Sequence, residues 1–369
     1  MLVAKIFNYF KYILLKIRYF FLPRRSLDII KDYFYVRSLH PQFMKLRWEP
    51  VEDGPIERVE PACAQVQDKL YVMGGYHSLD KVVSTIDVID LSTGKWIEHR
   101  PMPAYIPQTH QGVDCEDGRF IYHVAGQRGI QCSPAVADCY VYDIVRNQWE
   151  EFPPLPKARY AAATRLLNGR LHVVAGSRED RVTPATEHWS IAVKDGKAQE
   201  ERWQEEPAIP LGGPHRSSAV VGDKLYVLAS QHGDRPPIAG DLKFTCDWKA
   251  PNETFFKDSF AYNPTTKSWR RIADMPVAVT HTEYSTLVLE NLVVILGGFT
   301  DGRMLTHIIQ VYDTKNDQWR IVGKLPWRNK GLAAGYYDGW LYMIAGQKQV
   351  SAIDPGFGEV LKGGHRAKF

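Results

Sequence analysis

Residues 293–326 read VVILGGFTDGRMLTHIIQVYDTKNDQWRIVGKLP. An apolar run ends in Gly297-Gly298, a loop follows, and a second apolar run closes on Val311-Tyr312-Asp313. Lys315-Asn316-Asp317 then turns the chain into Trp319, and Pro326 lies seven residues beyond it. Apolar and aromatic runs bounded by Gly, Asn and Pro clusters read as short antiparallel strands. Elsewhere in the chain a further strand precedes the equivalent run, as at Ala161–Leu167 and Ser218–Val221, so each unit has four strands.

The same plan recurs outward in both directions. Small residues close the apolar runs Leu70–Gly75, Ile121–Gly126, Leu171–Gly176, Leu225–Ser230 and Leu341–Gly346. Tryptophan and proline recur seven residues apart as Trp48/Pro55, Trp96/Pro103, Trp149/Pro156, Trp203/Pro210, Trp269/Pro276 and Trp319/Pro326. Successive tryptophans lie 48, 53, 54, 66 and 50 residues apart. A period near 50 with four strands per unit marks a radial β architecture. The ends of the chain fit together: Leu341–Gly346 starts a sixth unit that no tryptophan follows, and Trp48 has no preceding small-residue strand. The expectation is that Lys45–Val51 supplies the outer strand of the sixth blade, which leaves no free sheet edge.

From about residue 43 to 350 the chain resembles the kelch repeat family, on Gly74-Gly75, Gly297-Gly298, the repeated tyrosines and the six Trp–Pro units. Four repeats read Ala-Gly or Ala-Ser in place of the double glycine. The fold class that this resemblance implies is all-β: a six-bladed kelch propeller. Leu211-Gly212-Gly213-Pro214-His215-Arg216 and Trp189–Lys197 resemble a kelch subfamily prominent in plants, whose members are described as membrane-associated. That likeness implies an endomembrane location, Golgi or endoplasmic reticulum.

The chain has 369 residues, 44% of them hydrophobic, and a net charge of +4. The domain reading is a basic N-terminal segment and linker (1–39), then a propeller (40–369) with an insertion (233–258) and a short C-terminal tail. Residues 1–22 have no acidic side chain. At about 100° per residue, Lys5, Asn8, Lys11, Lys16 and Arg18 fall within an arc of roughly 160°. Four charges in 22 residues argue against a spanning helix, and the pattern suits a helix lying in a membrane surface through residues 1–25. A signal-anchor, a transit peptide and a packing helix stay open. The rest of the chain has no nucleic-acid footprint. Cys63, Cys115, Cys132, Cys139 and Cys246 form no zinc pattern; Cys132 and Cys139 are close enough in sequence to bridge. Asn252-Glu253-Thr254 is a glycosylation acceptor in a secretory lumen.

In a propeller the loops leading into the innermost strands and the loops after the small-residue strands share one face. Loops on a rigid scaffold carry binding. This places His77, His110, Arg159, Arg178, His215, Arg216, Gln231, Arg328 and Gln347 around one mouth as ligand-binding candidates. His110, His215 and His281 occupy nearly equivalent positions. His281 and Glu283, two apart on one strand, are the acid–base candidates, with Arg159 and Arg216 as anion clamps. No local ligand spacing points to a metal, no cofactor is expected, and there is no P-loop, GxGxxG, GxSxG or HExxH. The expected function is a membrane-associated propeller binding a small anionic or saccharide ligand. If it is catalytic, epimerisation or mutarotation is expected, by fold-level analogy with kelch-type sialic acid mutarotases. The alternatives are an interaction module for an acidic protein partner and a membrane-tethered scaffold.

Overall fold

The computed structural model describes residues 44–78, 81–130, 133–234, 254–300, 304–349 and 358–369. The helix expected over residues 1–22, most of the 233–258 insertion, Cys132, Cys246 and Asn252 lie outside the described residues. Cys63, Cys115 and Cys139 are free thiols.

Among the described residues the chain forms six antiparallel sheets of four strands, consistent with kelch blades. The fifth sheet shows the plan: Thr286–Leu289, Leu292–Leu296, Ile308–Asp313 and Gln318–Lys324 pair in sequence order. The first four sheets start at Ala62–Val66, Gly112–Glu116, Ala163–Leu167 and Ser217–Val221. The third carries an extra short strand, Lys197–Ala198, on its hairpin. In the sixth, Ala333–Tyr337 pairs with Trp340–Ile344, which pairs with Gly364–Lys368. The stretch expected as a C-terminal tail is therefore that sheet's third strand. Its fourth strand is Glu49–Pro50, in register with Arg366 and His365, so the two ends of the chain meet where the spacing of the repeats required.

The core is not one cluster but a series of layers between successive sheets. Leu70, Val72, Ile89, Ala333, Tyr342 and Ile344 join the first sheet to the sixth, and five further layers join the others in sequence order. Each second strand is therefore buried on both faces. That is why Leu70-Tyr71-Val72-Met73 and Val293-Val294-Ile295-Leu296 are continuous apolar runs and not alternating ones.

Three local devices recur. Asp90, Asp143, Asn263 and Asp313 each accept from the two backbone N–H groups of the turn that follows, Asp313 from Lys315 at 3.0 Å and Asn316 at 3.3 Å. Five of the six repeat tryptophans, all but Trp149, latch their outer strand to the sheet before it. Indole N–H groups of Trp48, Trp96, Trp203, Trp269 and Trp319 donate to the carbonyls of Lys324, Glu52, Pro153, Pro207 and Ala273 at 2.7–3.0 Å. The small-residue pair ends the second strand of five sheets, all but the fourth, in the left-handed region. Its first position tolerates alanine, as Ala125, Ala175 and Ala345 at φ 53–61° show. Its second position, with φ 92° at Gly75 and 95° at Gly126, lies where side chains are rarely found. A Cβ on Gly75 would meet the Val59 carbonyl at 2.7 Å. This accounts for the Ala-Gly departures from the double glycine.

Candidate functional site

One residue in each sheet, just before the innermost strand, sits at the axis in the left-handed conformation. These are Glu60, His110, Ala161, His215, His281 and Gly331, with φ between 49° and 58°. Their backbones form a belt: Glu60 N–H donates to Gly331 O at 2.8 Å, Gly331 to His281 at 3.1 Å, His215 to Ala161 at 3.0 Å and Ala161 to His110 at 3.1 Å. The three equivalent histidines seen in the sequence thus belong to one ring, with Glu60 its fourth polar member.

Their side chains are closely packed. His215 and His281 stack with ring centres 3.9 Å apart and 12° between planes, and His110 stacks on Tyr160 at 4.2 Å. Glu60 lies 3.0 Å from His110 Nε2, 3.1 Å from Lys330 Nζ and 3.6 Å from His281 Nε2. Glu283 accepts from His215 Nδ1 at 2.5 Å. Above them Tyr160 donates to Asp234 at 2.7 Å, and buried Arg181 bonds both, at 2.9 Å and 2.6 Å. Burial favours the neutral form of Glu60, but Lys330, His281 and His110 outweigh it and hold the carboxyl well below the usual range. Burial likewise depresses His110 and His281, the latter far below the ordinary imidazole value. At His215 burial is overcome by the Glu283 charge and hydrogen bond, and the net shift is upward. With His215 protonated, Glu60, Glu283 and Asp234 face the cations His215, Lys330 and Arg181.

The space inside this cluster, bounded by Glu60, His110, His215, His281, Glu283 and Gly331, is about 10 Å³, roughly the room for one water. His110, His215, His281 and Glu283 therefore do come together, but the two acid–base candidates take different partners: His281 lies beside Glu60, and Glu283 binds His215.

The remaining candidates lie elsewhere. Arg159 is buried, 2.9 Å from Glu187 and 4.3 Å over the Trp189 ring. Arg178 is half-exposed beside the same carboxylate at 3.7 Å. Arg216 is fully buried and donates to the carbonyls of Leu211 (2.6 Å) and Asp258 (3.0 Å), and burial lowers its pKa to about 9. His77 sits at the rim, 3.7 Å from Glu57. Gln231, Arg328 and Gln347 donate to the carbonyls of Gly233, Leu305 and Gly358.

The roomy cavity is on the other side of the histidine ring. A channel of about 550 Å³ runs along the inner strands of all six sheets toward their far hairpins at Gln67 and Leu289. Its walls mix Cys63, Asp114, Cys115 and Arg165 with Val220, Leu287 and Tyr336. Tyr284 closes its inner end and lines both spaces. Its hydroxyl reaches from the fifth sheet across the axis to donate to the Gln111 carbonyl of the second. The cause is an insertion. The residue paired in register follows the ring position by three in the first sheet (Glu60 to Cys63) and by five in the fifth (His281 to Thr286). The two extra residues make the turn that swings Glu283 and Tyr284 to the axis. Sequence reasoning looked to loops and missed this channel, although the longer spacing after His281 was legible.

Arg165 is held by both neighbouring sheets. Nε donates to Ser218 O at 3.0 Å, and Nη1 to Thr164 O at 2.9 Å and Val113 O at 3.3 Å. The Asp114 carboxylate accepts instead from the Cys115 and Leu166 N–H groups, at 2.9 Å and 2.7 Å. Burial pushes the thiols of Cys63 and Cys115 up to about 12, so neither is a nucleophile at neutral pH.

The Kelch motif pattern matches residues 57–103 and 281–326. A kelch repeat-containing protein of Arabidopsis thaliana is 38% identical over 323 residues, covering 86% of this chain and 75% of its own length. A kelch-like protein of Aspergillus terreus is 25% identical over 73% of this chain and 70% of its own length. Kelch-like protein 23 of Homo sapiens is 23% identical over 75% of this chain and 43% of its own length. Repeat motif, sheet topology and the plant relative agree, and the chain belongs to the kelch repeat family.

Proposed function

We propose that the six sheets make a six-bladed propeller, closed by the N-terminal strand, that binds a small polar ligand in its central channel. The observation that carries this reading is the channel itself. Its volume of about 550 Å³ falls within the range of about 300–1,000 Å³ usual for small-molecule sites, and its walls set Asp114, Arg165, Ser218 and Glu283 among apolar side chains. The histidine cluster, by contrast, has room for about one water and its acids are engaged with its own bases. Binding, not isomerisation, is therefore the activity proposed. The basic face of residues 1–25 supports a tether to anionic membrane, which sedimentation with phosphatidylserine vesicles tests.

The test is a thermal-shift panel of neutral sugars, sugar acids, amino acids, phosphorylated metabolites and acidic peptides on the full chain and on Val220→Trp, which fills the channel. A small molecule that stabilises the wild type and not a folded Val220→Trp supports the reading. A shift given only by acidic peptides, equal in both proteins, replaces it with an interaction module.

A further inference from the structure

The channel wall has an uneven charge distribution that selects among small ligands, an inference that rests on the channel reading above. Arg165 is fixed by three backbone carbonyls from three sheets. Among the described residues it has no carboxylate within ion-pair distance, and Nη2 carries none of those three bonds. The nearby Asp114 forms no direct ion pair with it: its oxygens accept the Cys115 and Leu166 N–H groups, and Asp114 and Arg165 attract each other only through space. An immobile guanidinium with donors to spare on a channel wall suits an incoming carboxylate, since its side-chain entropy is already spent and its donors match two oxygens.

The closed end has the opposite character. Glu283 is the acid that borders both the channel and the histidine cluster. One oxygen is taken by His215, and the side chain keeps 18% of its surface accessible. A carboxylate there accepts hydroxyl protons and repels a second anion. The wall also carries Val220, Leu287 and the Tyr284 ring, which suit the C–H faces of a polyhydroxy chain or ring.

We propose that the channel binds a small hydroxylated monocarboxylate of the sugar-acid class, its carboxylate on Arg165 and its hydroxyls toward Glu283. This arrangement ranks a monoacid above the neutral polyol, which leaves Arg165 without an anion, and above the diacid, which sets a second carboxylate against Glu283.

The probes are D-gluconate, D-glucitol and D-glucarate, titrated calorimetrically into the full chain at constant ionic strength. Gluconate is expected to bind at least tenfold more tightly than either of the others. Arg165→Gln should weaken gluconate about tenfold or more and leave glucitol unchanged. Glu283→Gln should raise the glucarate-to-gluconate affinity ratio about tenfold, and this variant carries the test if Arg165→Gln does not fold. Equal binding of gluconate and glucitol, an unchanged gluconate affinity in folded Arg165→Gln, or an unchanged ratio in Glu283→Gln overturns the proposal. Channel binding then survives if another small molecule is lost in Val220→Trp. If none of the small molecules in the wider panel binds, both readings fall together.

Discussion

Trp48 is the tryptophan whose latch ties the N-terminal strand to the fifth sheet, and replacing it tests the proposed closure. Its indole N–H donates to the Lys324 carbonyl at 2.8 Å, and its ring packs, partly buried, on the layer between the fifth and sixth sheets beside Leu46 and Val322. The hydrogen bond contributes about 1 kcal/mol net. An indole buries roughly 200 Å² when fully enclosed. About half of that, at about 25 cal/mol per Å², adds about 2.5 kcal/mol. Trp48→Phe, which keeps most of the ring and loses the donor, should cost about 1 kcal/mol. Trp48→Ala should cost about 3.5 kcal/mol. For a domain of this size these correspond to Tm decreases of about 2 °C and about 7 °C. Differential scanning calorimetry reads both, with exposed Val145→Thr as the neutral control. Hydrogen exchange provides the location: amides of Gly364–Lys368, paired with Glu49–Pro50 on one side, should lose protection first in Trp48→Ala. If Trp48→Ala melts with the control and leaves that exchange unchanged, the N-terminal strand does not close the ring.

Gly112 packs against the third sheet so closely that a Cβ would lie 1.9 Å from Thr164 Oγ1. Gly112→Ala should cost about 1–3 kcal/mol in urea unfolding, and adding Thr164→Ala should recover most of it. Arg58 is buried between Asp87, Thr85 and two carbonyls. Arg58→Met leaves the Asp87 carboxylate buried with no arginine partner, beside His99 and the Thr85 hydroxyl, and should cost about 3 kcal/mol, whereas the joint Arg58→Met, Asp87→Leu variant should be closer to wild type. His215 has a raised pKa in the fold. Its stabilisation is therefore fully present below its unfolded value of 6.5 and is lost as pH rises through the folded value. Glu60, His110, Tyr160, Asp234 and His281 titrate around it in both proteins. The difference in urea midpoint between wild type and Glu283→Gln therefore isolates the pair, and it should shrink from pH 6 to pH 9. A constant difference refutes the assignment of the proton to His215.

Much of the scaffold was legible because a repeat is a local property. Trp319, Gly297-Gly298 and the Asp313 turn each act within one unit, through a strand, a tight left-handed bend and a turn cap, so their spacing is their structure. The closing strand followed from counting, since a sixth unit without a tryptophan and a tryptophan without a unit have one economical arrangement. The histidine ring was legible for the same reason: His110, His215 and His281 hold equivalent repeat positions and so meet at the axis.

The sequence alone determined the repeat, the strand order, the three equivalent histidines and the join between the N-terminal strand and the last unit. Tertiary structure alone decided what the polar residues do. Arg159 and Arg216 read as anion clamps, yet they are spent on Glu187, Trp189 and buried carbonyls. His281 reads as the partner of Glu283 until His215 takes that carboxylate. Arg165, on an inner strand, was not singled out in the sequence, and only the structure places it beside the channel. Contacts around and across the axis join residues far apart in the sequence, Lys330 to Glu60 between neighbouring sheets and Tyr284 to Gln111 across the axis. No periodicity within a repeat encodes such distances. They are set by how the six sheets pack against one another, and by one two-residue insertion that turns Tyr284 into the wall between a sealed cluster and an open channel.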